Sequence, residues 1–188
     1  MDLEGNVKSI ILYDSLGGNT QKVAERIHET VLTTGIQSDL VKISSEDYPD
    51  FYDVDLVFIG SPVIMWLPTQ TMINFVKKKL REYSAAGKVL QSAPIRPGKF
   101  GVCFGTFAGP HIGLSEARPM TMWLRAFLEH LGYTVLDEWH IVGEFQNKQE
   151  ANIGGRLGNI QGRPNEYDLM EVENKVKGLL ISLNAWLV

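Results

Sequence analysis

SIILYDSLGGNTQKVA, residues 9–24, is the stretch that decides the fold class of this chain. Its apolar run, rich in β-branched isoleucine, predicts a buried strand that stops at Asp14. A loop of glycines and hydroxyl-bearing side chains follows. An apolar stripe through Val23, Ile27 and Val31 then predicts an amphipathic helix. The unit is therefore a strand, a compact loop and a helix, with free backbone N–H groups at the helix N-terminus.

The loop within this unit has the composition of an anion site. Ser15, Asn19 and Thr20 each carry a side-chain donor, while Gly17 and Gly18 allow consecutive N–H groups to converge. A phosphate dianion is stabilised at such a helix N-terminus without any cation in the loop. The simpler interpretation is a plain strand-to-helix turn in which Asn19 is the N-cap. The loop lacks both the Walker sequence and the G-x-G-x-x-G dinucleotide spacing.

Outward from this unit, apolar strands alternate with amphipathic helices along the whole chain. Such alternation favours a doubly wound parallel sheet with helices on both faces, formed by residues 1–188 as a single domain. The predicted strands cover residues 7–13, 37–43, 55–60, 99–105 and 134–142. The predicted helices cover residues 19–34, 69–83, 114–131 and 165–187, and residues 146–164 are expected to form a surface loop.

Three predicted strands end in loops rich in Gly, Pro, Ser or Thr, at residues 15–20, 60–68 and 105–113. In a doubly wound sheet, the carboxyl ends of the strands border the ligand crevice. The sequence therefore predicts that these three loops form one binding site.

Composition excludes several classes of function. The chain has 22 acidic and 18 basic residues, a net charge of −4, which gives no electrostatic basis for binding nucleic acid or an anionic membrane. The lone Cys103 excludes an internal disulfide and a cysteine metal site, and its apolar surroundings predict a buried structural thiol. The first six residues lack the pattern of a signal peptide, and no apolar run is long enough to span a membrane, so we expect a cytoplasmic protein.

The first loop resembles the phosphate loop of the flavodoxin family, which binds flavin mononucleotide (FMN). The family pattern S/T-x-T-G-N-T is matched by Ser15, Gly18, Asn19 and Thr20, whereas Gly17 stands where a threonine is usual. The resemblance implies a five-stranded sheet in the order 2-1-3-4-5. It also implies that the whole loop contacts FMN, through Ser15, Leu16, Gly17, Gly18, Asn19 and Thr20.

The other two loops resemble those that flank the flavin ring in this family. In the second loop, Trp66 is expected to stack on the ring. Backbone groups of the same loop are expected at the ring edge, from Ser61, Pro62, Val63, Ile64 and Met65. In the third loop, amides would bind the pyrimidine part of the ring, and either Phe107 or His111 would supply a second aromatic contact. The residues expected there are Gly105, Thr106, Phe107, Gly109 and His111.

A receiver domain shares the implied topology but needs a phosphoacceptor Asp after strand three, where this chain has Gly60 and Ser61. Among flavodoxin-like functions we favour one-electron transfer between redox partners, which would be a redox protein or a small donor or acceptor. The alternatives are an NAD(P)H-dependent oxidoreductase acting on a quinone or small molecule, in which an oligomer is possible, and a flavin-free binding domain. No catalytic residue and no metal ligand is predicted.

Overall fold

The computed structural model of the chain describes residues 7–44 and 49–187, with the side chains of 185–187 left aside. The first six residues, used above to predict the compartment, lie outside this part. The strands are β1 Lys8–Tyr13, β2 Gln37–Lys42, β3 Leu56–Pro62, β4 Phe100–Phe107 and β5 Thr134–Val142. The helices are α1 Asn19–Leu32, α2 Gln70–Ala85, α3 Arg118–His130, α4 Gln149–Gly154 and α5 Glu166–Leu187.

The five strands form one parallel sheet in the order β2-β1-β3-β4-β5, as predicted. From β1 the chain crosses to β2 on one side, and it returns to β3 on the other side of β1. The strand order therefore reverses between β1 and β3, which opens a crevice at their carboxyl ends.

Alternate residues of the central strands point to two separate cores, one on each face of the sheet. Ile10 in β1 packs in the core that contains Met72 of α2 and Leu124 of α3. Its neighbour Ile11 packs in the core that contains Val23 of α1 and Val176 of α5. Because strands buried on both faces need apolar residues at every position, β1 and β3 read as continuous apolar runs. The prediction of helices on both faces is confirmed.

Cys103 lies in β4 and is fully buried, as predicted. Burial raises the pKa of its thiol well above the ordinary value, because the thiolate would lose its hydration. The residue is therefore a packing element and not a nucleophile.

The sequence prediction was wrong in two places. Helix α3 begins at Arg118, not near residue 114, because residues 113–116 form a separate 3₁₀ turn and Pro119 occupies the first turn of the helix. The stretch 146–164 is not only a loop, since it contains α4. A helix of 6 residues is too short to show a periodic pattern. In the described ranges, none of the helices combines the length and hydropathy that a membrane crossing requires.

Candidate cofactor-binding site

A cleft of about 150 Å³ opens at the carboxyl ends of β1, β3 and β4, next to the reversal of strand order. It is lined by parts of all three predicted loops and by the segment that follows β5. The lining residues are Ser15, Leu16, Gly17, Asn19, Thr20, Pro62, Val63, Ile64, Thr106, Phe107, Ala108, Gly143, Glu144, Phe145 and Gln146. The structure thus brings together ten of the predicted site residues.

The first loop presents unpaired backbone donors. The hydroxyl oxygen of Ser15 accepts hydrogen bonds from the amides of Gly18 (3.1 Å) and Gln21 (3.3 Å), which folds the loop back on itself. Four other backbone N–H groups of this loop have no hydrogen-bond acceptor within the described residues. They belong to Leu16, Gly17, Asn19 and Thr20. These donors surround the N-terminus of α1, where the helix dipole also favours an anion.

Asn19 does not act as the N-cap of α1. Gly18 is the N-cap, in a left-handed conformation with φ of 90°, which a glycine adopts without strain. The Asn19 amide instead donates from Nδ2 to the Glu144 carbonyl (2.8 Å), so one of the two protons of this predicted phosphate donor is already used. Its Oδ1 is buried and has no partner among the described residues. That acceptor is free for a hydroxyl of a bound ligand.

Two hydroxyls form the floor of the cleft. Thr20 and Thr106 are 1% and 4% exposed, and their side-chain oxygens are 2.8 Å apart. Only one of the two hydroxyl protons is used in this hydrogen bond. The other remains available to donate into the cleft.

The carboxylate of Asp14 anchors two loops from below the cleft. One oxygen accepts the Ser15 amide (2.8 Å), and the other accepts the Thr69 hydroxyl (2.5 Å). The Thr69 side chain in turn accepts the amide of Met72 and caps α2. Asp14 therefore ties the first loop to the end of the second loop.

The tip of the second loop stands away from the cleft. Ile64 and Leu67 exchange two backbone hydrogen bonds around Met65 and Trp66, which have φ of 48° and 68°. Positive φ at both central positions is the geometry of a type I′ turn, which usually contains Asn and Gly. Met65 is 77% exposed and Trp66 is 57% exposed, and neither lines the cleft.

Several other predicted residues also lie off the cleft. Ser61 is buried, where its hydroxyl donates to the Pro62 carbonyl and accepts the Thr69 amide. Gly105 faces α3, since a Cβ there would lie 2.1 Å from Met120 Cε.

The far part of the third loop is organised by Glu116, which accepts the amides of His111 and Ile112. The His111 side chain is exposed and does not reach the cleft, and Gly109 and Gly18 also lie outside its lining. The third loop therefore contributes Thr106, Phe107 and Ala108 from its start alone.

The segment 143–146 after β5 was missed by the sequence analysis. Gly143 packs so close to Asn19 that a Cβ would be 2.8 Å from Nδ2. The Phe145 backbone is held on both sides by the amide of Asn152, which is 2% exposed in α4. The only signal in the sequence is a glycine directly after a predicted strand.

Comparison with known proteins agrees with this geometry. Residues 10–90 match the sequence model of the family described as Flavodoxin domain. This part of the chain is similar to a flavodoxin domain. The resemblance seen in the loop sequences is therefore confirmed for the region that includes the first two loops.

Solved structures share the fold of this chain at low sequence identity. A flavodoxin from the domain Archaea has a TM-score of 0.64 and 18% identity, over 94% of this chain and 98% of its own. The rubredoxin:oxygen oxidoreductase of Desulfovibrio gigas has a TM-score of 0.62 and 16% identity, over 98% of this chain and 38% of its own.

A curated relative is an uncharacterized protein of Methanocaldococcus jannaschii, 26% identical over 164 residues. The match covers 81% of this chain, which spans only 36% of that relative.

The residues of the cleft fit an FMN phosphate and its ribityl chain. Unpaired amides and the spare Thr20–Thr106 hydroxyl proton suit a dianion, and the orphaned Asn19 Oδ1 suits a ribityl hydroxyl. The volume of the cleft is below the roughly 300 Å³ typical of a site that encloses a whole ligand. Ile64 and Phe107 are the apolar lining residues that would contact a flavin ring.

Proposed function

We propose that this chain binds FMN and transfers single electrons between redox partners. The observation that carries the proposal is the set of unpaired amides at the N-terminus of α1, which converge on a cleft with two hydroxyls at its floor. Among its described lining residues there is no Lys or Arg. Such a site uses backbone dipoles in place of cations to hold a phosphate.

Different residues of the cleft would hold different parts of FMN. Ser15 shapes the first loop, and the free amides of Gly17 and its neighbours bind the phosphate. Val63, Ile64 and Phe107 give the cleft an apolar wall that keeps water from the ring. FMN, when bound, supplies the electron-accepting and electron-donating chemistry.

Exposed apolar side chains near the cleft support a redox protein as partner. Leu16, Met65 and Trp66 are 70%, 77% and 57% exposed, on the tips of the first and second loops. Aromatic residues and Met are enriched in the centre of protein interfaces, and large exposed apolar groups often mark such sites. A partner docked there would meet the open rim of the cleft.

Thr20→Val tests the phosphate site. We expect the affinity for FMN to fall about tenfold, as for loss of one hydrogen bond to a charged group, with a smaller effect on riboflavin, which has no phosphate. Flavin fluorescence quenching measures both dissociation constants. The matched control is Thr30→Val, because Thr30 is also buried in α1 but bonds to the Arg26 carbonyl, away from the cleft.

Equal losses for FMN and riboflavin would contradict the phosphate assignment. If the unaltered protein binds neither flavin, the chain is a flavin-free binding domain.

A second candidate function is an NAD(P)H-dependent oxidoreductase. It is favoured by the position of Trp66, which does not line the cleft and leaves its mouth open to a second substrate. Stopped-flow mixing of the FMN-loaded protein with NADPH and NADH separates the two functions. Rapid flavin bleaching would favour the oxidoreductase. No bleaching, together with a radical signal in electron paramagnetic resonance on partial reduction, would favour the electron carrier.

A further inference from the structure

The side chain of Gln146 occupies the space above Gly17 in the first loop. A Cβ at residue 17 would lie 2.6 Å from Gln146 Cγ, 3.4 Å from Cδ and 3.5 Å from Nε2. A side chain at position 17 would therefore require the Gln146 side chain to move. The glycine at this position makes room for a carboxamide that comes from a different part of the chain.

The backbone just before Gln146 is held in place by several hydrogen bonds. The Glu144 carbonyl accepts Asn19 Nδ2, and the Glu144 amide donates to the Arg163 carbonyl at 2.8 Å. The Phe145 amide and carbonyl are both bonded to the Asn152 side chain, at 2.8 and 2.9 Å. Gln146 follows directly, so its backbone starts from a fixed place over the first loop.

The carboxamide of Gln146 has no hydrogen-bond partner within the described part of the chain. It lines the same cleft as the unpaired amides of the first loop. The carboxylate of the nearest acid in sequence, Glu144, accepts a hydrogen bond from the amide of Gly162 (2.8 Å), which lies outside the first loop. Gln146 is thus a polar donor at the mouth of an anion site.

We infer that the Gln146 carboxamide donates a hydrogen bond to the cofactor phosphate in place of a side chain at position 17. This makes Gln146 a specificity residue that favours a phosphorylated flavin over riboflavin. The inference rests on the proposed function and adds to the site a residue 129 positions after Gly17 in the sequence.

The test compares Gln146→Leu with the unaltered protein. Leucine keeps similar bulk over Gly17 but removes the donor. We expect the dissociation constant for FMN to rise about tenfold, the usual effect of losing a hydrogen bond to a charged group, while that for riboflavin stays within about twofold. Both constants are measured by fluorescence quenching. The control is Gln37→Leu, an exposed glutamine at the start of β2 and at the opposite edge of the sheet.

A second variant asks whether positions 17 and 146 share one role. Gly17 is not in the left-handed region, so a threonine can replace it once the glutamine side chain is shortened. Gln146→Ala should lower the preference for FMN, and Gly17→Thr combined with Gln146→Ala should restore it through the new hydroxyl. If the Gln146 side chain only covered the loop, Gln146→Ala would not lower the preference for FMN and the double variant would not restore it.

The outcomes separate the two proposals. An unaltered protein that prefers FMN, with the same preference in Gln146→Leu, would overturn the role of Gln146 and leave the proposed function standing. A double variant no better than Gln146→Ala would also overturn that role. An unaltered protein that binds no flavin would overturn the proposed function and this inference with it.

Discussion

At the scale of single residues, the buried carboxylate of Asp14 organises the site without lining it. Asp14 is 4% exposed, and its two oxygens accept from the Ser15 amide and the Thr69 hydroxyl. Both donors lie at the carboxyl edge of the sheet, and Thr69 is 55 residues from Asp14 in sequence. A buried carboxylate needs such partners because it has lost its hydration.

Asp14→Asn should destabilise the protein by about 1–3 kcal/mol, because the amide has a single acceptor oxygen and cannot accept from both the Ser15 amide and the Thr69 hydroxyl. Urea denaturation measures the change in the free energy of unfolding. Asp39→Asn is the matched control, since Asp39 is exposed on β2 and should change stability little. A variant as stable as the unaltered protein would show that these hydrogen bonds contribute nothing.

At the scale of elements, the turn at Met65 and Trp66 is strained. Both residues are in the left-handed region, which costs non-glycine residues roughly 1–2 kcal/mol each. Since both side chains are mostly exposed, packing offsets little of this cost. Strain of this kind is common in loops that form binding sites.

Met65→Asn combined with Trp66→Gly should raise the free energy of unfolding by about 1 kcal/mol, because Asn-Gly is the preferred type I′ pair. Met65→Val should lower it, because a β-branched residue is disfavoured at positive φ. Thermal and urea denaturation of the three proteins give the comparison. The idea of a strained turn fails if the Asn-Gly variant is no more stable than the unaltered chain.

At the scale of the whole molecule, a polar cluster between α3 and β5 makes stability depend on pH. The Thr121 hydroxyl is 2.6 Å from a Glu138 oxygen and 2.9 Å from His140 Nε2, and Arg125 pairs with the same carboxylate. Burial lowers the pKa of His140 below its ordinary value of 6.5, and the nearby Glu138 carboxylate opposes only part of this effect. The folded protein therefore binds a proton at His140 less readily than the unfolded chain.

Stability should consequently be full above about pH 6.5 and fall as the pH drops below that value, because protons then favour the unfolded state. His140→Gln should flatten this dependence, whereas His111→Gln, on an exposed loop, should not. Urea denaturation between about pH 5 and pH 8 measures the slope. Equal slopes in all three proteins would rule out His140 as the source.

The fold and much of the site could be predicted from local sequence. A strand that is buried on both faces is a continuous apolar run in the sequence. A helix that is buried on one face has an apolar stripe with helical spacing. The loops at Ser15–Thr20 and Pro62–Ile64 could be placed because parallel strands end at a common edge. Trp66 was expected over that edge, and its position outside the cleft follows from backbone geometry that composition does not reveal.

What only the tertiary structure decided is how distant segments complete the cleft. Thr20 meets Thr106 across 86 residues, and Asn19 meets the Glu144 carbonyl across 125. Gln146 lies over Gly17 through contacts of the same kind. The sequence by itself determined the strand–loop–helix unit, since that depends on neighbours along the chain. The contacts between distant segments depend instead on tertiary packing, which leaves no periodic pattern in the sequence.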